Sequence, residues 1–112
     1  MTQRKFCYLW LTCDKGQERT IAQALLDKHL INCAKFVPVG AMYWWKGAIE
    51  SADEMAMIME SAEDLYDEIE TEVAKIHSYD VFVLQLISVS RVNRSAARWM
   101  EENLKAQQKP DN

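Results

Sequence analysis

The sequence predicts an α+β fold of the ferredoxin-like kind: a βαββαβ sandwich with an extra C-terminal helix and a long central β-hairpin. Three observations predict it. Residues 6–13, 33–46, 48–60 and 81–90 are rich in β-branched, aromatic and alternating apolar residues, as strands are. Between and after them, apolar residues recur at three and four, as on one face of a helix. The order is strand, helix, strand, strand, helix, strand, then helix, which sets two crossover helices on one face of a four-stranded antiparallel sheet.

Phe6 to Cys13 carries Phe6, Tyr8 and Trp10 on one face and Cys7, Leu9 and Leu11 on the other, so it reads as a central strand. Asp14 to Gln17 makes the turn. A helix then runs to about Leu30 on the stripe Ile21, Ala22, Leu25, Leu26 and Leu30. The next strand, Cys33 to Lys46, is expected to bend and bulge at Pro38-Val39-Gly40. Lys46-Gly47 is the hairpin tip and Ala48 to Glu60 the return strand. Ser61 stands in a helix cap position before Glu63 and Asp64, acids suited to a first turn. Leu65, Ile69, Val73 and Ile76 continue that helix to His77. Val81 to Ser90 is the fourth strand, apolar on both faces apart from Gln85. Ser95 caps a last helix with Ala96, Met100 and Leu104 inward and Trp99 beside them. The polar tail from Gln107 to Asn112 is expected to fray. The chain, residues 1–112, reads as one domain with an ordered core at about 5–105, without repeats.

The hairpin Tyr43-Trp44-Trp45-Lys46-Gly47-Ala48-Ile49-Glu50 is the most informative stretch. Adjacent strand residues point to opposite faces, so Trp44 and Trp45 place large aromatic area on both sides of one sheet. Helices on one face can bury one of them; the other calls for a partner subunit or a ligand. Every strand is apolar on both sides, so the bare face is expected to be covered by further copies of the chain.

Composition excludes several classes. A formal net charge of -4 speaks against a nucleic-acid partner. No stretch approaches a membrane span, and the short apolar run after Arg4 and Lys5 lacks a small-residue cleavage site, so no membrane association is expected. Three cysteines, Cys7, Cys13 and Cys33, without paired spacing speak against a disulfide framework or a CxxC site; they are expected to be reduced, in a cytoplasmic protein.

Candidate chemistry is sparse. Met55, Met57 and Met59 alternate on one strand face; soft thioethers suit Cu(I), but alternation alone gives this pattern and Met fills irregular cores, so the stripe is read as core. His77, Tyr79 and Asp80 follow the second helix and could hold a divalent cation or a small polar ligand; the alternative is a helix-terminal His and a packed Tyr. His29 reads as a helix-end residue. Cys13 and Cys33 could be soft ligands or buried free thiols. No nucleophile, base and orienting group can be assembled and no glycine-rich phosphate loop is present, so no enzyme is expected.

Thr12-Cys13, Leu30-Ile31-Asn32-Cys33, Tyr43-Trp44-Trp45-Lys46-Gly47 with Ile49-Glu50, His77-Ser78-Tyr79-Asp80-Val81 and Arg98-Trp99-Met100 together resemble the CutA family of divalent-cation tolerance proteins, from about Phe6 to Leu104. The resemblance implies a ferredoxin-like subunit in a compact homotrimer and a role in tolerance or response to divalent metal ions. It implies binding of copper or another divalent cation, with Cys13, His77 and Asp80 as the metal set. It also implies a ligand cleft or trimer interface at Trp44, Trp45, Tyr79 and Glu60. The architecture is similar to that of PII-type signal proteins, which bind effectors between subunits. A second reading is therefore a regulatory or scaffold trimer binding a small metabolite or partner protein in that cleft. The family usually writes His-Pro-Tyr-Glu-x-Pro-Glu after the second helix. Here Ser78 and Phe82 replace the prolines, Asp80 the first acid and Val83 the second, and Glu60 stands where the family has Lys. A less preorganised His77 loop and weaker copper binding are expected.

Overall fold

Alternation along Phe6–Cys13 places this strand, β1, inside the sheet, with Cys7, Leu9, Leu11 and Cys13 buried on one side and Tyr8 and Trp10 half-exposed on the other. The structure is a computed structural model that describes residues 4–108. After β1 come helix α1 (Glu18–Asp27), strands β2 (Cys33–Trp45) and β3 (Ala48–Ala62), a 3-10 turn (Glu63–Leu65), helix α2 (Tyr66–Ile76), strand β4 (Leu84–Ser88) and helix α3 (Arg94–Asn103). The antiparallel sheet runs β2-β3-β1-β4, as expected for the split βαβ plan.

One core lies between the sheet and the helices. Leu9, Leu11 and Cys13 pair across β3 with Met59, Met57 and Met55. This face meets Ile21, Ala22 and Leu25 of α1 and Ile69 and Val73 of α2, with Met100 and Leu104 closing one end. Met57 and Met59 are fully buried, so the methionine stripe is core, as read from the sequence. The opposite face is bare and carries Tyr8, Trp10, Val37 and Ile87 half in water.

The hairpin register holds without a break from Cys33↔Glu60 to Trp45↔Ala48, so the expected bulge at Pro38 is absent. The reason is topological: β2 is an edge strand, where a residue without an N–H costs no ladder bond on its outer side. Lys46 and Gly47 take φ 49° and 82°, the two positive values of a type I′ turn, whose twist matches the strands. Neither hairpin tryptophan is buried within the chain: Trp44 is 72% exposed and Trp45 37%. The strands run past the helices, leaving no helix there to cover either face.

Other boundaries shift for local reasons. Helix α1 ends at Asp27 instead of Leu30, because His29 turns left-handed (φ 57°) and its N–H and that of Leu30 donate to the carbonyls of Leu26 and Leu25 in a Schellman arrangement. Ser61 is no cap: it lies in β3, buried, and its hydroxyl donates to the Leu30 carbonyl at 2.6 Å. Asn93, not Ser95, precedes α3. Strand β4 spans Leu84–Ser88, short of the expected 81–90, since Val81 and Val83 stand in the approach loop and face water. Residues 109–112 of the tail lie outside the described residues.

Candidate functional site

The end of β1, the loop behind it and the segment after α2 meet at one end of the sheet. Helix α2 stops at Ile76, and His77 turns to extended backbone (φ -71°, ψ 136°), which swings its ring toward β1. His77 Nε2 lies 2.8 Å from the Thr12 carbonyl, and the Tyr79 N–H donates to His77 Nδ1 at 3.1 Å. Because Nδ1 accepts, Nε2 carries the proton and donates to Thr12: the imidazole is neutral and both nitrogens are engaged. The ring sits edge-on to Tyr79 at 4.7 Å and stacks on Phe82 at 5.3 Å.

Tyr79 reaches on to Glu54 of β3, donating its hydroxyl to Oε2 at 2.7 Å. Glu54 is buried although carboxylates rarely are without a partner. Burial, and then the Glu54 bond and the nearby Asp14, push the Tyr79 hydroxyl well above the ordinary phenol range. Ser78 fastens the loop to the β1–α1 turn: its hydroxyl lies 2.9 Å from Asp14 Oδ2 and 3.1 Å from Gln17 Oε1, while Gln17 Nε2 donates to the Ile76 carbonyl at 3.0 Å. Glu18, also buried, accepts from the Gly16 N–H at 2.7 Å.

Cys13 points the other way, into the core, where its thiol lies 3.9 Å from the Met57 thioether. Burial first, then the charges of Glu18, Asp14 and Glu54, push this thiol up to about 11. Cys7 is pushed to about 12 by burial and by Glu63 and Asp64. All three cysteines are free.

The profile of the family described as CutA1 divalent ion tolerance protein matches residues 7–103. The chain belongs to the CutA1 family. Among its relatives, the divalent-cation tolerance protein CutA of Pyrococcus horikoshii is 35% identical over 85 residues, 76% of this chain and 83% of that protein. The solved structure of the periplasmic divalent cation tolerance protein CutA from Archaeoglobus fulgidus superposes with a TM-score of 0.86 at 30% identity, covering 89% of this chain and 99% of that one. CutA1 from Oryza sativa shares the fold with a TM-score of 0.89 at 22% identity, over 95% of this chain and 99% of that one. The family is named for tolerance of divalent ions, not for catalysis. Among the described residues, no helix is long and apolar enough to cross a membrane.

Against this CutA1 frame, the three residues marked as a metal set share one end of the sheet without facing one point. His77 has no free nitrogen, Cys13 is sealed in the core and Asp80 stands exposed. Among the described residues, no three His, Cys, Asp or Glu side chains are placed to hold an ion. The donor chemistry suits a divalent metal, but the arrangement does not fit one as it stands. Of the cleft residues, Tyr79 joins the site and Glu60 lies on the bare face, bonded to Lys35 Nζ at 2.7 Å. Trp44 and Trp45 are remote, on the hairpin. Asp14, Gln17 and Glu54 were not singled out from the sequence. For Glu54 no local signal existed: period two puts it with Ala56 and Glu60 on the face away from the core, and Tyr79 covers it from another segment.

Proposed function

We propose that this CutA1 protein contributes to divalent-cation tolerance as a cytoplasmic homotrimer, and that it binds copper or a similar divalent ion weakly. The exposed apolar hairpin carries the assembly reading. Met42 at 75% exposure, Trp44 at 72% and Ile49 at 59% form an apolar band on the helix side of a projecting element, while Tyr43 and Trp45 share the bare sheet face with Tyr8 and Trp10. Burying one tryptophan removes roughly 150–250 Å² from water, worth several kcal/mol at about 25 cal/mol per Å². Light scattering at micromolar concentration is expected to give three times the chain mass. A Trp44→Ser, Trp45→Ser variant is expected to lose that mass, and a monomeric wild type refutes the assembly.

Holding an ion with Cys13, His77 and Asp80 requires the loop after α2 to rearrange, because as folded the three do not face one point. An ion there must displace the bonds of His77 to Thr12 or Tyr79. An imidazole binds an ion through one nitrogen, so one such bond at about 1 kcal/mol is lost, roughly 5-fold in affinity against a site already open. Binding also releases protons, so it weakens as pH falls. Calorimetric titration with Cu(II) is expected to show weak binding that a His77→Ala, Cys13→Ser double variant abolishes. Tight binding that survives the double change places the site elsewhere, with Met55, Met57 and Met59 examined first.

A further inference from the structure

Three soft sulfurs come together at the end of the core nearest the β1–α1 turn. Cys13 closes β1, and Met55 of β3 stands directly opposite it in the register. Both side chains take the core face of the sheet. The Cβ atoms of such a pair lie about 4.5–5.5 Å apart, within the reach of a flexible thioether. Met57, one diagonal step along β3, is already in place: the Cys13 thiol donates to its sulfur at 3.9 Å. Met59 pairs with Leu9, roughly 13 Å along β1 from Cys13 at the usual rise per residue, and stands apart from the group.

The spacing is that of ligands around one ion. Three sulfurs each about 2.3 Å from a metal, at trigonal angles, lie about 4.0 Å from one another. Cys13 Sγ and Met57 Sδ are at 3.9 Å without any ion between them. The thiol hydrogen points along that contact, so an ion that displaces it meets the same two sulfurs. Charge decides which ion. Cys13 and Met57 are fully buried, and a net charge sealed in an apolar core is costly. One thiolate balances one positive charge and two thioethers add none, so a monovalent ion leaves the centre neutral while a divalent ion does not. The nearby carboxylates of Glu18, Asp14 and Glu54 are each held elsewhere, by the Gly16 N–H and the hydroxyls of Ser78 and Tyr79. Thiolate and thioether ligands also select Cu(I).

We propose that Cys13, Met55 and Met57 form a trigonal site for Cu(I). The thiol releases its proton to solvent as the copper–sulfur bond forms, and no electron is transferred. Met55 is the way in: it is half-buried where the other two are sealed, so its thioether meets the ion first and passes it inward. The site shares Cys13 with the divalent reading, but it uses neither His77 nor Asp80 and requires no rearrangement of the loop after α2. It therefore stands or falls apart from that reading.

Anaerobic titration of the full chain with Cu(I) held by bicinchoninate, read from the loss of the chelator's colour, tests this. One Cu(I) per chain is expected to pass to the protein, with copper X-ray absorption showing three sulfurs at about 2.3 Å and no nitrogen or oxygen. Met55→Leu and Met57→Leu keep the volume of the core. Each is expected to weaken Cu(I) binding at least about tenfold, since even groups behind a ligand change metal affinity about 10–100-fold when removed. Cys13→Ser is expected to abolish it. Met59→Leu, and Cys33→Ser on the opposite face of the sheet, are expected to leave it unchanged. Circular dichroism of every variant reports folding. No transfer from the chelator, full affinity in Met55→Leu or Met57→Leu, or a nitrogen in the copper shell overturns the proposal. Cu(I) affinity that falls in His77→Ala also overturns it, by placing the ion in the loop, while calorimetry with Cu(II) reports the divalent reading separately.

Discussion

Arg4→Ala is expected to cost about 3 kcal/mol of stability. The Arg4 side chain is 3% exposed and grips Asp64 through two parallel bonds of 3.0 Å. It also donates to Glu101 at 2.6 Å and to the Lys105 carbonyl at 2.7 Å, tying the start of β1 to the 3-10 turn and to the chain after α3. Removing one partner of a buried pair costs about 3–5 kcal/mol. The lower end applies here, because Glu101 is half in water and Asp64 keeps the Gln108 N–H at 2.9 Å. The pH dependence follows from Asp64. Burial raises its pKa, but Arg4 and the Gln108 N–H outweigh burial and hold it below the ordinary carboxylate range. A depressed folded pKa contributes stability that is present above the unfolded value, about 3.9, and lost as pH falls through the folded one. The gap between wild type and Arg4→Ala should therefore be full at pH 7 and narrow below about pH 4. Urea unfolding at fixed protein concentration, at neutral pH and near pH 3, measures both. Arg4→Lys, which keeps the charge and loses the fork, should fall between. A neutral-pH gap under about 1 kcal/mol, or one that persists undiminished in acid, refutes the reasoning.

Tyr79→Phe leaves the buried Glu54 carboxylate without its donor and is expected to cost about 1–3 kcal/mol in the same unfolding assay; a neutral result means that water reaches Glu54. With iodoacetamide on the folded protein near neutral pH, half-buried Cys33 is expected to react, while Cys7 and Cys13 resist until the chain unfolds. Burial pushes their thiols up to about 12 and about 11 in the fold against about 8.5 unfolded, and a raised folded pKa contributes stability that is lost as pH rises. Alkaline unfolding titrations should thus show stability falling above about pH 9, and a flat profile to pH 11 contradicts the burial argument.

Much of the fold was legible because strand and helix periods leave local marks. Cys7, Leu9 and Leu11 against Tyr8 and Trp10 marked an inner strand, and Lys46-Gly47 marked the tight turn that both positive φ values require. What was not legible depends on distant partners. Ser61 has the chemistry of a cap, yet Leu30, which lies 31 residues away in sequence, supplies its acceptor. Pro38 signals a bulge until its strand is known to be an edge. Arg4 gave no local sign of the ion pairs it makes with residues 60 and 97 positions away. At the site, the residue types at His77, Tyr79 and Cys13 were visible, but their directions were not. Glu54 and Asp14, which fix Tyr79 and Ser78, come from other elements.

The loop after α2 shows how a segment without proline is held. A pyrrolidine ring stiffens a loop by fixing φ, and without the two prolines the segment was expected to be less preorganised. In the structure, side chains at the same two positions take over that task. The Ser78 hydroxyl bonds into the β1–α1 turn, and Phe82 stacks its ring on His77. The loop is therefore held, but in a geometry that satisfies both imidazole nitrogens within the chain. On the proposed metal reading, weak binding is then a matter of competition by internal hydrogen bonds and not of disorder. The two causes separate experimentally. Placing proline there with Ser78→Pro also deletes the Asp14 and Gln17 contacts of Ser78, so it should leave copper affinity little changed. Were disorder the cause, the same substitution would raise it.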